Sequence, residues 1–127
     1  GAQFVAPELS CTRYAALEGA RAGNPNFAIY PLGVSKEDEI VEIFKTVEAD
    51  GWRPNVVLNN AAITGEMLMG AGGTFPDFAD TTLDDWEKTM RTNLTGAFLV
   101  ARQMDRDIVG KWPATLVNVA SMYALNG

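Results

Sequence analysis

Apolar and polar positions alternate along the chain in two different periods. Short apolar runs bounded by Gly, Pro or Asn predict β-strands at Gln3–Ala6, Phe27–Leu32, Asn55–Asn60 and Ala114–Val119. Between them, apolar side chains recur at helical spacing and predict helices at Thr12–Arg21, Lys36–Glu48 and Thr82–Ile108. Because a parallel crossover needs a connection of helix length, this order predicts a doubly wound α/β fold with a parallel sheet.

The helix predicted at Lys36–Glu48 has the clearest amphipathic pattern. Ile40, Phe44 and Val47 share one face and are expected to be buried, whereas Lys36 and Glu42 are expected to be exposed. Ser35 precedes three consecutive acidic residues, which suit the first turn of a helix, and it is therefore predicted to be the N-cap.

The segment Ile63–Thr81 interrupts this alternation. It combines several glycines with apolar side chains and is longer than most connections in compact domains. A loop on the substrate side of the sheet and a simple surface excursion are equally good interpretations. The run Gly70–Gly73 is interpreted as a flexible loop, since it lacks the preceding strand and following helix of a phosphate-binding turn.

Composition narrows the possible functions. The 127 residues fit one domain, 47% are hydrophobic, and the net charge of −6 disfavours nucleic-acid binding. The sequence contains neither an apolar run of about 20 residues nor a signal-peptide pattern, so we expect no membrane association and a cytoplasmic location. Cys11 is the only cysteine and histidine is absent, which argues against intramolecular disulfides, His-dependent catalytic triads and a zinc site with the usual ligands.

One polar residue falls on an apolar stripe of the third predicted helix. Asn93 shares that stripe with apolar residues at helical spacing, namely Trp86, Met90, Ala97, Phe98 and Ala101. An inward amide needs hydrogen-bond partners, so Asn93 is predicted to face inward and to bond the backbone of a neighbouring element. From spacing alone, a structural amide is favoured over a catalytic one.

Small and polar residues follow the last two predicted strands. Asn59-Asn60-Ala61-Ala62 ends the third strand, and Ser121 follows the fourth. Ligands of open α/β sheets bind beyond the carboxyl ends of the strands, so both positions are candidates for a binding site. A strand-terminating turn at the first and a helix cap at Ser121 are the alternatives.

Together these motifs are far more specific than any one of them. Asn59-Asn60-Ala61-Ala62, Asn93-Leu94-Thr95-Gly96 and Val117-Asn118-Val119-Ala120-Ser121, in this order and spacing, resemble the short-chain dehydrogenase/reductase family across essentially the whole chain. The resemblance implies that Asn93 acts in proton relay and that Ser121 orients the substrate. It also places Asn60, Ala61 and Ala62 beside the cofactor, with Ala62 in place of the family's glycine.

The resemblance further implies a choice of cofactor. Glu8 matches the acidic position at the end of the family's second strand, where a carboxylate accepts from the ribose 2′-hydroxyl and repels a 2′-phosphate. We therefore expect NAD rather than NADP. Gly33-Val34 stands where the family has Asp-Val, so Val34 is a candidate cofactor-binding residue but the aspartate that would hold the adenine amino group is replaced.

Two family motifs do not occur in this sequence. By resemblance, the glycine-rich turn would precede Gly1 and the Tyr-x-x-x-Lys pair would follow Ser121; Tyr123 has no lysine four positions later. The sequence matches the family's strands two to five, and the first strand belongs between the second and the fourth. Residues 1–127 are thus expected to form a partial, Rossmann-like dinucleotide-binding domain with an incomplete sheet, inactive by itself.

The function that the resemblance implies is hydride transfer between a nicotinamide cofactor and a small alcohol or carbonyl substrate. The intact parent enzyme is expected to be a homo-oligomer without nucleic-acid partners. The alternative is a non-catalytic Rossmann-like protein that serves as a binding or subunit-interface module.

Overall fold

A computed structural model describes residues 4–7, 24, 27–64 and 77–121. Among these residues there are four strands and three α-helices, and they follow the order predicted for this part of the chain. A π-helical turn, Arg91–Gly96, joins the last two helices, and a short 3₁₀ helix precedes them at Phe78–Asp80. The strands are β1 (Phe4–Pro7), β2 (Phe27–Tyr30), β3 (Val56–Asn59) and β4 (Thr115–Asn118), and the helices are α1 (Glu37–Ala49), α2 (Leu83–Met90) and α3 (Ala97–Asp107).

The strands form two separate parallel pairs. β1 pairs with β2, with Phe4 opposite Phe27, and β3 pairs with β4, with Val56 opposite Thr115. Within the described residues, each pair is a two-stranded sheet of its own. This arrangement agrees with the predicted α/β fold, parallel but incomplete, because a strand that would join the pairs is not among the described elements.

Helix α1 confirms the predicted amphipathic pattern. Ile40 and Val47 are buried, Phe44 is half-buried, and Lys36 and Glu42 are exposed. The predicted N-cap was wrong: the cap is Lys36, and it makes no side-chain capping bond. The reason is local, since a turn closed by the Lys36 N–H and the Gly33 carbonyl (2.9 Å) precedes the helix and includes Ser35.

The core lies where α1 and α3 pack on each other and on β3. Its buried side chains come from the segment after β2 and from both helices, with Val57 of β3 packed against them. These residues are Leu32, Ile40, Leu99 and Val100. One face of β3 is covered in this way, whereas Val56 and Leu58 on the opposite face are 59% and 58% exposed.

The helix predicted at Thr82–Ile108 forms as one helical run with a π turn in its middle. Thr82 caps it, since its hydroxyl oxygen accepts from the Asp85 N–H at 3.1 Å, and Ile108 is its C-cap. The π turn is one of the local irregularities that often mark functional positions in helices. No helix in the described part of the chain is long and apolar enough to span a membrane.

The side of this helix that faces the core differs from the predicted one. Trp86 and Phe98 are 56% and 57% exposed, and the Arg102 guanidinium lies 5.2 Å from the centroid of the Phe98 ring. The buried face instead carries Gly96, Leu99, Val100, Gln103 and Met104. Periodicity detects an apolar stripe, but α3 has apolar residues on two sides, and spacing cannot show which side meets the core.

Two of the predicted segments lie wholly or partly outside the described residues. These are the helix at Thr12–Arg21 and the central part of the Ile63–Thr81 segment, including Gly70–Gly73. Near the carboxyl end of the Ile63–Thr81 segment, which the structure describes, Phe78 is 93% exposed.

Candidate functional site

The carboxyl ends of β3 and β4 lie side by side. The Val119 N–H donates to the Asn59 carbonyl at 2.9 Å, which continues the pairing beyond both strands. The Asn59 side-chain amide donates to Asn118 Oδ1 (2.8 Å) and to the Ala97 carbonyl (3.2 Å). Asn59 therefore fixes β4 and the start of α3 to the same edge of the sheet.

Four of the predicted site residues that the structure describes follow the two strands at this edge. Asn60, Ala61 and Ala62 leave β3 with exposed side chains, and Ser121 is exposed three residues beyond β4. Val34 is half-buried in the segment between β2 and α1. Glu8 lies outside the described residues. Ala61 and Ala62 are small and exposed, so side chains add little bulk to the backbone that follows β3.

Asn93 joins the π turn to the segment after β3 through two hydrogen bonds. Its Nδ2 donates to the Ile63 carbonyl at 2.8 Å, and its Oδ1 accepts from the Ile63 N–H at 2.7 Å. The predicted bond to the backbone of a neighbouring element is confirmed. The predicted inward orientation was wrong, since Asn93 is exposed; its amide bonds the backbone of the segment after β3 and not the buried core.

Gly96 brings the segment between β2 and α1 into contact with the π turn. It is buried, and a Cβ placed on it would lie 2.8 Å from the Val34 carbonyl oxygen and 3.2 Å from Val34 Cγ2. Only a residue without a side chain permits this approach. The π turn thus contacts the segment after β2 through Gly96 and the segment after β3 through Asn93.

A cleft of about 390 Å³ opens beside these contacts. Ser35, Ile63 and Thr92 line it together with four charged residues of the helix, Asp84, Glu87, Lys88 and Arg91. Lys88 Nζ pairs with Asp84 Oδ2 at 2.5 Å, and this hydrogen bond raises the pKa of the Lys88 ammonium. With two acids and two bases, the cleft has no strong preference for either sign of charge.

A second charged contact lies between β2 and α1. The Gly33 N–H donates to Glu39 Oε2 at 2.6 Å, and Lys36 Nζ donates to Glu39 Oε1 at 2.5 Å. The bond from Lys36, followed by the one from Gly33, holds the pKa of the Glu39 carboxyl below its usual range. The same contact raises the pKa of Lys36. Glu39 is consequently a carboxylate at neutral pH.

Sequence reasoning missed Ile63, Gly96 and Glu39 as members of this region. Ile63 bonds Asn93 through its backbone, which leaves no side-chain signal. Gly96 follows Asn93 by three residues, and a glycine inside a helix is itself a sign of close packing. Glu39 is one of three adjacent acids, and the sequence does not show which of them turns back toward Gly33.

Comparison with known proteins agrees with this arrangement. A family model described as enoyl-(acyl carrier protein) reductase matches residues 1–127, the whole chain. The chain belongs to the short-chain dehydrogenase/reductase family. An uncharacterized short-chain type dehydrogenase/reductase from Sinorhizobium fredii is 34% identical over 109 residues, which cover 86% of this chain and 18% of that relative.

Solved structures share the fold of this chain. A structure described as glucose/ribitol dehydrogenase from Brucella melitensis superposes with a TM-score of 0.81 at 20% identity, covering all of this chain and 49% of that one. ElxO with NADP bound superposes with a TM-score of 0.75 at 22% identity, covering 97% of this chain and 47% of that one. The chain spans less than half the length of each of these proteins. The short-chain dehydrogenase/reductase family uses nicotinamide cofactors.

Proposed function

We propose that this sequence is the central part of an NAD-dependent short-chain dehydrogenase/reductase that interconverts a small alcohol and its carbonyl compound. The observation that supports this most directly is the double hydrogen bond between Asn93 and Ile63. It joins the π turn to the Asn-Asn-Ala-Ala segment, so two of the three family motifs meet in space. β4, which carries the third motif, is paired to β3 at the same edge.

The proposal gives a role to each candidate site residue that the structure describes. The bound nicotinamide would carry the hydride. Ser121 would donate its hydroxyl hydrogen to the substrate oxygen and orient it. Asn93 would hold the Ile63 backbone, and through it a water, in position for proton relay. Asn60, Ala61, Ala62 and Val34 would line the path of the dinucleotide.

The residues fit a dinucleotide at this edge. A close backbone approach needs small side chains, and Ala61 and Ala62 are small and exposed. Next to Val34, the place of a side chain at Gly33 is taken by the Glu39 carboxylate. Open α/β sheets bind their ligands beyond the carboxyl ends of the strands, where all these residues lie.

Cofactor preference, location and assembly are further parts of the proposal. NAD is preferred over NADP because Glu8 would repel a 2′-phosphate, although ElxO shows that a protein of this fold binds NADP. The full-length protein is proposed to act in the cytoplasm as a homo-oligomer. A row of exposed apolar side chains along α2, the π turn and α3, namely Leu83, Trp86, Leu94 and Phe98, supports assembly.

Titration of the full-length protein that carries this sequence with NAD and with NADP tests the proposal. We expect saturable binding by calorimetry, tighter for NAD, and reduction of bound NAD by at least one class of small alcohol. Binding without turnover across primary, secondary and sugar alcohols would support the non-catalytic alternative. Absence of binding by either dinucleotide would overturn the proposal.

A further inference from the structure

Gly33 and Glu39 occupy one small volume after β2. Gly33 is buried, and a Cβ placed on it would lie 2.9 Å from Glu39 Oε2. The carboxylate of Glu39 therefore lies where a side chain at position 33 would begin. It reaches this place from the first turn of α1, six residues further along the chain.

Two donors hold this carboxylate in place. The Gly33 N–H binds Oε2 and the Lys36 ammonium binds Oε1. An ionised carboxylate has about four acceptor positions, so these two bonds leave room for a further donor. The Glu39 side chain is 33% exposed, which makes it reachable by a ligand.

A carboxylate at this place matters because of what position 33 does in the proposed cofactor site. By family resemblance, an aspartate would stand here and accept the adenine amino group, and this sequence has glycine instead. Position 33 has no carboxylate in this sequence, and the carboxylate of Glu39 lies in the same place. A carboxylate added at 33 would crowd Glu39, so the two positions can supply one acid between them.

We propose that the Glu39 carboxylate accepts the 6-amino group of the cofactor's adenine, in place of the side chain that Gly33 lacks. This inference rests on the proposed dinucleotide site and adds a residue that determines which base is bound. Val34, next to Gly33 and packed on Gly96, would hold the adjacent backbone beside the base.

The test compares two dinucleotides on the full-length protein. NAD carries the 6-amino group, whereas nicotinamide hypoxanthine dinucleotide carries a 6-oxo group that can only accept. We expect calorimetry to show NAD binding about tenfold more tightly, the size expected for one hydrogen bond to a charged group. Glu39→Ala should reduce this ratio to near one, mainly by weakening NAD binding.

Two further variants separate base recognition from support of the turn. Glu42→Ala removes an exposed acid of the same helix and should keep the tenfold ratio. The double variant Gly33→Asp/Glu39→Ala should restore the ratio, because it returns the acid to position 33 and removes the crowding. Gly33→Asp alone should weaken the binding of both dinucleotides, since two carboxylates then compete for one space.

The outcomes distinguish this inference from the proposed function. Equal binding of the two dinucleotides by the unmodified protein, or equal loss of both in Glu39→Ala, would show that Glu39 only anchors the turn and would overturn the inference. Failure of the double variant to recover the ratio would also count against it. If neither dinucleotide binds the unmodified protein, both the proposed function and the inference about Glu39 are wrong.

Discussion

Gly96 lies directly against the carbonyl oxygen of Val34, at a distance that leaves no space for a methyl group. This contact fixes the separation between the helix and the segment after β2. We expect Gly96→Ala to destabilise the full-length protein by about 1 kcal/mol, because overpacking costs roughly 1–3 kcal/mol while alanine gains roughly 1 kcal/mol of helix propensity. Urea unfolding measures the change.

Thr95→Ala serves as the control for this variant. Thr95 is the exposed neighbour of Gly96 in the same π turn, so its replacement changes helix propensity without touching Val34. We expect its unfolding midpoint to equal or exceed that of the unmodified protein. A Gly96→Ala variant as stable as Thr95→Ala would contradict the close contact.

The two hydrogen bonds between Asn93 and Ile63 predict that kcat falls in steps as they are removed. Asn93→Ala removes both bonds and should lower kcat of the full-length protein by about 100-fold, within the range typical of a lost proton-transfer aid. Asn93→Asp keeps the acceptor for the Ile63 N–H but loses the donor to its carbonyl. Its kcat should fall between those of Asn93→Ala and the unmodified protein.

Steady-state kinetics across a range of pH checks this order. An altered pH profile of kcat in both variants is expected if Asn93 positions a proton relay. If kcat remains unchanged while only the unfolding midpoint drops, the amide serves the fold alone.

Glu8 is predicted to decide between NAD and NADP. Glu8→Ala and Glu8→Ser remove the charge that would repel a 2′-phosphate, so both should shift the ratio of kcat/KM values toward NADP. Kinetics with both cofactors on the full-length protein measure this ratio. Equal or better use of NADP before any substitution would reject the assignment of Glu8.

These 127 residues expressed alone are predicted to show no dehydrogenase activity and to bind NAD weakly or not at all. Ser121 and Asn93 can orient groups, but neither is an effective acid near neutral pH, and the sequence has no Tyr-x-x-x-Lys pair. Cofactor affinity would also suffer without a glycine-rich turn to hold the pyrophosphate. Saturable reduction of NAD by the purified chain, verified by mass, would show that the catalytic groups lie elsewhere.

The pattern of residues predicted the elements better than their orientation. All four strands and the amphipathic face of α1 followed from local periodicity, because burial of one face imposes it on the sequence. The exposure of Trp86 in α2 and of Phe98 in α3 was not predicted. Spacing alone does not show which side of a helix meets the core, and α3 carries apolar residues on two sides. Which of them meets the core depends on contacts with α1 and β3, which are distant in sequence.

The sequence predicted those parts of the candidate site that consist of unusual side chains, but not those that depend on backbone contacts. Asn93 could be singled out because an amide on an apolar stripe is unusual, and its bond to a backbone was foreseen from the need to satisfy it. The identity of the partner, Ile63, depends on how the segment after β3 runs beside the π turn. The turn of Glu39 toward Gly33 depends on helix geometry and on Lys36, and no pattern of residue types encodes it.

The division of the strands into the pairs β1–β2 and β3–β4 gives each pair a backbone edge able to accept another strand. In the family's strand order, one parallel strand fits between β1 and β3 and would be held from both sides. The protein could therefore be split, with that strand supplied as a separate peptide that restores the sheet by complementation. If residues 1–127 are expressed without that strand, we expect the strand edges to pair with those of other molecules and the fragment to aggregate at high concentration.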